Sequence, residues 1–551
     1  MAIEVRRDSM PFQVEDGSFI DTPIVKPSSW LRIILKKYKS LLFPHGNLEQ
    51  ELNSFWKCFE YIQPGHVVFQ SPSSRERLNK TLPILLHGDE GRYLKKGNYM
   101  IATIECMLGS TPTKCRPCSC SADPALQRYE GLDDCCQHGW PSEQLLDIAS
   151  KQYVNLSGNC FLSKFMLFGM KSQIYKSNPD LVHATFDLVS KDLELLHNRG
   201  IEVGPDTFYA AVLGIKGDMK FHYQIGNLSR SYYNVGVKEN HPICALCMAG
   251  APDIPFEDLA EGAAWEATIH TNKPWPESEP PAVTQIPFEP GAEESIFRLD
   301  TFHCWKLGVG RDLVGSSLIF LALAGYFDSP GDAVNLPDRL ERCFSSFRLH
   351  CMANGKTPAV HYFSQALFNA SNQRSFPWAN CKGSDVTLLT SWLLFIVKLL
   401  MQSGDVQHEH VRYFAILRET LESTEQFFDV LYSHGLWLPR ICGRRVLHHL
   451  NVMLKGYKLL AQEVKKLNVV AYSLKPKLHA MRHIAREISR QLEIQSPRIL
   501  NVLAFSCEPN EDMVGHVARL SRRVSARTVN NSLRPCLHQD ENSLEQKAQT
   551  V

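Results

Sequence analysis

The chain lacks an excess of either charge: 59 lysines and arginines stand against 58 aspartates and glutamates in 551 residues, with a pI of about 7.6. That balance excludes a histone-like protein that grips nucleic acid by bulk charge, yet leaves room for local basic faces. Long apolar runs are also lacking. The longest, Leu318 to Phe327 and Trp392 to Met401, are too short to span a bilayer and read as buried helices, so no membrane partner is expected. The opening segment MAIEVRRDSMPFQVEDG has no apolar core, and no secretory signal is expected. Internal repeats are missing, as are the HExxH, GxSxG, Walker A and dinucleotide fingerprints of other enzyme classes. Cysteine, by contrast, is plentiful at 17. Without a secretion signal these read as reduced thiols, some of them metal ligands, rather than a disulfide framework. An apolar content of 44% is ample for real cores, and the expectation is a soluble intracellular protein.

Read along its length, the chain divides unevenly. Residues 1–80 read as a helical region, with Trp30 to Phe43 amphipathic and basic and Leu48 to Tyr61 rich in aromatics. In TLPILLHGDEGRYLKKGNYMIATIECMLGS two apolar runs flank a Gly-rich turn, a hairpin signal that places Asp89 at the end of the first strand. Residues 110–158 form a loop rich in cysteine and proline. KFMLFGMKSQIY predicts a third strand, and Asp180 to Arg199 a helix, from apolar Val182, Phe186, Val189, Leu193 and Leu196 with Gly200 as stop. DTFYAAVLGIKGDMKFH predicts a buried strand ending in Gly217-Asp218. Strand, strand, strand, helix, strand, with acids on the first and last, is the opening half of an RNase H-like α/β core over residues 81–250. An acidic, Pro-rich stretch at 251–295 reads as an exposed linker, and residues 296–495 as an all-helical insertion. The core resumes at 496–534 with a helix from Pro509 toward Val524. The tail, 535–551, is expected to be disordered.

Carboxylates gathered from distant parts of a chain are how proteins hold paired Mg²⁺ (or Mn²⁺) ions for phosphodiester chemistry. Asp89, Asp218 and Glu511 are the candidates here, with Glu508 second to Glu511 for the third acid and Asp512 beside it. Each acid alone is also what a turn or helix cap needs; their joint order carries the signal. Cys244 and Cys247 form a CxxC that suits half of a structural Zn²⁺ site, with Asp300 and His303 either its other half or a polar clamp beside the acids. Cys115, Cys118, Cys120, Cys135, Cys136 and His138 offer a second zinc set. Basic residues concentrate late: Lys475, Lys477, His479, Arg482, His483 and Arg486 before the last helix, then Arg519, Arg522, Arg523 and Arg527. As a group beside a metal site they suit a phosphate backbone, although each alone reads as a solvated helix face.

This order of motifs resembles the DDE transposases of CACTA-type elements, the Tnp2-like group. The resemblance covers roughly residues 80 to 530: Asp89 after an apolar strand, Gly217-Asp218, Cys244 and Cys247, the DxxH of Asp300 and His303, and a late glutamate followed by a basic helix. It implies that Asp89, Asp218 and the glutamate hold the metals, that DNA (transposon ends or resident sites) is the substrate, and that the protein works in the nucleus, as a homo-oligomer. HGDEG departs from the family's usual surroundings of the first aspartate, the region of Glu511 matches loosely, and a domain for reading transposon ends is not evident. Two further readings stand beside this one: a transposase-derived protein that binds DNA or protein without cutting, and a zinc-dependent hydrolase.

Overall fold

The structure is a computed structural model that describes residues 8–13, 19–39, 42, 47–94, 97–109, 141–156, 160–237, 241–372 and 374–522. The cysteine loop with Cys115, Cys118, Cys120, Cys135, Cys136 and His138, the tail, and Arg523 and Arg527 lie outside these residues.

The protein is a mixed α/β fold. Its amino-terminal part is not purely helical as expected: an antiparallel hairpin, β1 (Asp8–Gln13) and β2 (Phe19–Ile24), precedes α1 (Pro27–Lys37) and α2 (Leu48–Ile62). The hairpin's apolar residues do not alternate regularly with its polar ones and few of them are buried, which hides it from a search for apolar alternation. Then come β3 (Thr81–Leu94), β4 (Gly97–Cys106), β5 (Lys164–Lys171), α3 (Asp180–Asn198), β6 (Ile201–Val203), β7 (Asp206–Gly217) and α4 (Met219–Gly226). The five-stranded sheet has the order β5-β4-β3-β7-β6. β3 runs parallel to β7, and the other neighbours are antiparallel. Nearly every residue of β4 and β5 is buried, as befits strands covered on both faces. Helix α3 buries the five apolar residues that predict it. Helix α1 is fixed to the sheet by Trp30, whose indole donates to the Met166 carbonyl at 2.8 Å, and to α3 by Ser28 on Asp192.

Asp89 does not end its strand. β3 continues to Leu94, pairing with β4 through Asp89↔Ile101 and Gly91↔Tyr99, and only its parallel pairing with β7 stops, at Gly88↔Gly217. The glycines that signal a turn serve packing instead. A Cβ on Gly91 would stand 2.8 Å from Val514 of the last helix.

Residues 251–295 are likewise no exposed linker. Although irregular, the segment buries Trp265, Trp275, Val283, Ile286 and Phe288, while Glu277 and Glu279 face solvent. Burial of its apolar side chains decides its course, where overall composition suggests an excursion. It delivers Phe297 to a parallel bridge with Ile215 of β7. A π-helical turn over Phe302–Val309 leads into α5 (Gly310–Leu323), α6 (Leu336–Ala353), α7 (Gly383–Ser403), α8 (Val411–Tyr432), α9 (Arg440–Lys466) and α10 (Pro476–Glu493), and the described chain ends in α11 (Glu508–Arg522). Helix α7 is the one described helix long and apolar enough to cross a membrane; half of its most apolar stretch is buried in the protein, Trp392 and Leu393 completely. Sheet and helices share one continuous apolar core, while α11 packs Met513, Val514 and Val517 on Tyr99, Ile101 and Met166 in a smaller cluster.

A buried charge node ties α11 to the sheet. Glu105 of β4, with no exposure, accepts Lys216 of β7 at 2.6 Å, lies 3.4 Å from Lys164, and accepts the Asn510 amide at 3.2 Å. Lys216 also donates to the Ser506 carbonyl at 2.9 Å. Burial pushes the Glu105 carboxyl up, but Lys216 and Lys164 outweigh it and take it from the ordinary 4.5 down to about 2. A depressed carboxylate stabilises the fold above its unfolded pKa, so this contribution is complete above about pH 4.5 and fades as pH falls toward about 2. Lys216→Met, which strands a buried carboxylate, is expected to lower the unfolding free energy by about 3–5 kcal/mol in urea titrations. A loss below about 1 kcal/mol, the scale of an exposed pair, would contradict the node.

Candidate functional site

Strand β3, the start of α11 and the turn after Phe297 converge at one point. Ligand atoms of Asp89, His303 and Glu511 all lie within 4.8 Å of one another. Asp218 stands beside them, because β3 and β7 run in parallel register up to Gly88↔Gly217. Its carboxylate caps α4, accepting the Phe221 N–H at 2.7 Å, and does not join the 4.8 Å group. Asp89 is buried and its Oδ1 accepts the Glu90 N–H at 2.6 Å.

The electrostatics follow from crowding like charges. Burial, then a hydrogen bond and repulsion from Glu511, raise the Asp89 carboxyl well above the ordinary range, and the negative charge of Asp218 adds to it. Burial acts on Glu511 as well, but the hydrogen bonds of His303 and Asp89 outweigh it and hold it at about 2. His303 is fixed from behind, its Nδ1 2.7 Å from Asp300 Oδ2 and its Nε2 3.3 Å from Glu511 Oε1. Burial alone would lower the His303 pKa; Asp300, Cys507 and Glu511 together raise it well above normal. Asp300 accepts three backbone N–H groups, of Phe302 (2.8 Å), His303 (2.9 Å) and Cys507 (3.0 Å); against its burial, the His303 imidazole first and then the N–H groups of His303 and Phe302 hold it at about 2. The DxxH pair is therefore the clamp beside the acids, one of the two roles its sequence allows.

Glu508 and Asp512 point elsewhere. Glu508 is paired with Lys306 at 2.9 Å and bonded by the Tyr432 hydroxyl, so α11 presents Glu511 alone to Asp89. Asp512 lies one residue round the helix, exposed, 3.3 Å from His516. His87, two residues before Asp89, carries no signal in the sequence; it is buried, neither ring nitrogen has a hydrogen-bond partner among the described residues, and burial pushes its pKa down to about 3.

The CxxC completes itself with different residues from those expected. Asp300 and His303 belong to the acidic site. The other half is His479 and His483 of α10, which sequence reading counts among the basic residues. Cys247 Sγ lies 3.3 Å from His479 Nε2 and 3.4 Å from His483 Nε2, Cys244 Sγ lies 3.5 Å from His483 Nε2, and the two imidazole nitrogens are 3.1 Å apart. Tetrahedral zinc with two sulfur and two nitrogen ligands places its donors roughly 3.3–3.8 Å apart. The quartet can hold Zn²⁺ with little movement. Hydrogen bonding from Cys247, helped by His483, outweighs burial and draws the Cys244 thiol well below its ordinary value, while the Cys247 thiol is raised. Four protein donors close the site, which leaves no open position for a zinc hydrolase. An i, i+4 histidine pair in HAMRH was the signal available in the sequence.

The basic residues part company. Arg482 is buried on Glu266 (3.2 Å) and Asn451 (2.9 Å), an internal cation rather than a phosphate ligand. Lys475 pairs with Asp312 at 2.6 Å. Arg519 and Arg522 are exposed on α11, Arg522 donating to the Arg92 carbonyl at 2.8 Å. Lys477 lines a cavity with Asp218, Asp300 and His303.

Purified protein is expected to carry about one zinc ion per chain by elemental analysis. Cys247→Ser and His479→Asn should each release it and lower the melting temperature, while His303→Asn should keep it. Zinc retained in full by both of the first two variants would contradict the quartet. Compared with known proteins, the chain matches no family model, no curated protein and no solved structure.

Proposed function

We propose that this protein is a Mg²⁺- or Mn²⁺-dependent DNA strand-cleaving and strand-transferring enzyme of the DDE transposase type, acting in the nucleus. The observation that carries the reading is the meeting of Asp89 and Glu511, from opposite ends of the chain, within 4.8 Å of each other and of His303, with Asp218 on the adjoining strand end. Like charges so placed are stable only with a proton or a cation between them, and a divalent ion is the cation that carboxylates of this kind suit.

The order of the sheet adds support. Three antiparallel strands, a helix, and a strand returning parallel to the first are what an RNase H-like core requires, with the helices from Gly310 to Glu493 as its insertion and α11 as its last helix. Asp89, Asp218 and Glu511 would hold the metal, which supplies an activated water or 3′-hydroxyl and stabilises the leaving oxygen. Asp300 orients His303, and His303 holds the Glu511 carboxylate toward Asp89. Lys306 and Tyr432 keep Glu508 away from that point.

Nicking of supercoiled plasmid with Mg²⁺ or Mn²⁺ tests the reading. Wild type is expected to cut, and Asp89→Asn, Asp218→Asn and Glu511→Gln to lose about 100-fold or more, since outer-shell changes already cost about 10–100-fold. Glu508→Gln should stay within about tenfold of wild type, because it acts only through the packing of α11. Folded wild type that binds DNA without cutting it under any divalent ion would favour a transposase-derived binding protein instead.

A further inference from the structure

Next to the paired acids lies a cavity of 310 Å³ whose walls include Asp218, Asp300, His303, Tyr232, Lys475 and Lys477. Acids and the DxxH histidine form one side, cations and an aromatic ring the others. That volume falls at the lower end of small-molecule sites, about 300–1,000 Å³.

Lys477 is the cation free to act there; Arg298, also in the wall, donates to the Leu213 carbonyl at 2.7 Å and the Gln63 amide oxygen at 2.6 Å. Lys475 and the neighbouring Lys220 are each neutralised by a carboxylate at 2.6 Å, Asp312 and Glu90. The Lys477 ammonium donates to the Leu307 carbonyl at 3.0 Å, and among the described residues it forms no ion pair. Its position is built rather than incidental. The π-helical turn carries glycine at position 308, where a Cβ would stand 2.4 Å from Lys477 Cδ.

The aromatic wall leads outward. Tyr233 stacks on Tyr232 with ring centroids 4.4 Å apart and planes at 28°, and Tyr223 of α4 adds a third ring 4.9 Å from Tyr233. Tyr223 and Tyr233 are 40% and 44% exposed, and Tyr232, the ring that lines the cavity, is half-buried behind them. The segment is nonetheless held firmly, with the Asn234 amide donating to the Pro242 carbonyl at 2.8 Å just ahead of Cys244.

We propose that this cavity receives an unpaired nucleotide of the DNA strand being cut, its base stacked on Tyr232, which Tyr233 backs from outside the cavity, and its phosphate on Lys477. A base inside a duplex offers a protein only its edges; a phenol ring can stack on it only after it leaves the helix. Stacking tolerates any base, because every base has a π-face. A nucleotide seated here sets the adjoining phosphodiester between Asp218 and Asp89, since Asp218 lies both in the wall and beside the acid pair. The inference rests on the DNA-cleavage reading and adds the form of the substrate: a strand unpaired at the scissile position.

The test compares binding, in Ca²⁺, of a fluorescent duplex and of the same duplex with a short unpaired stretch carrying 2-aminopurine. Wild type is expected to prefer the unpaired probe about tenfold or more and to change its 2-aminopurine fluorescence. Tyr232→Ala should remove most of that preference and the fluorescence change, and Tyr232→Phe should keep both. Equal binding of the two probes by wild type, or an undiminished preference in the Tyr232→Ala/Tyr233→Ala double variant, would overturn the inference. Plasmid nicking by the same preparations separates the two ideas: wild type that nicks yet shows no preference loses only the unpaired-nucleotide site, while wild type that neither nicks nor binds either probe loses both.

Discussion

A carboxylate with no exposure in the central part of a sheet must find its charge partners inside the protein, and Glu105 finds them in three distant segments. Lys216 comes from the end of β7, Lys164 from the start of β5 and Asn510 from the first turn of α11. Two of these sit next to the acids of the site: Lys216 precedes Gly217-Asp218, and Asn510 precedes Glu511. Satisfying Glu105 therefore fixes where β7 ends and how α11 meets β3. Burial also lowers the Lys164 pKa, a sign of how little solvent reaches the node. Such a cluster adds little net stability over an apolar core, and its value is the single arrangement it permits.

Above that node the chemistry is one of unresolved negative charge. Asp89 and Glu511 meet with Asp218 beside them, and the structure sets against them the His303 imidazole that Asp300 orients and whose pKa it helps to raise. Asp300 itself is balanced by three backbone N–H groups, so its charge is spent on orientation rather than offered to a ligand. This explains why four nearby acids have different environments although the sequence presents them alike.

Much of this was legible in the sequence where a local rule governs. Helix α3 follows its apolar spacing, β7 ends at Gly217 as the glycine-aspartate pair signals, and α11 starts within a residue of the expected Pro509. The failures share a cause. Gly88 and Gly91 read as a turn because their role, close packing against α4 and α11, depends on elements over a hundred residues away. The Pro-rich stretch at 251–295 reads as exposed because its buried tryptophans are sparse among acids. His479 and His483 read as basic charge because the cysteines that meet them lie more than 230 residues earlier. Periodicity reports what an element buries, and it is silent on which distant partner it buries against.

Helix α10 makes the two sites one mechanical unit. Within its first two turns it presents Lys477 to the cavity beside the acids and His479 and His483 to the cysteines. On the other side of the quartet, the chain from Tyr232 to Cys244 carries the tyrosines and is tied down by Asn234 on Pro242. A metal ion bridging Cys244, Cys247, His479 and His483 would thus clamp the cation-bearing and the ring-bearing walls of the cavity together without touching a substrate. Because such closed sites contribute their binding energy to folding, loss of that ion would act first on the cavity's shape. The acids of β3 and α11, held by Glu105 from the opposite side, would feel it only indirectly.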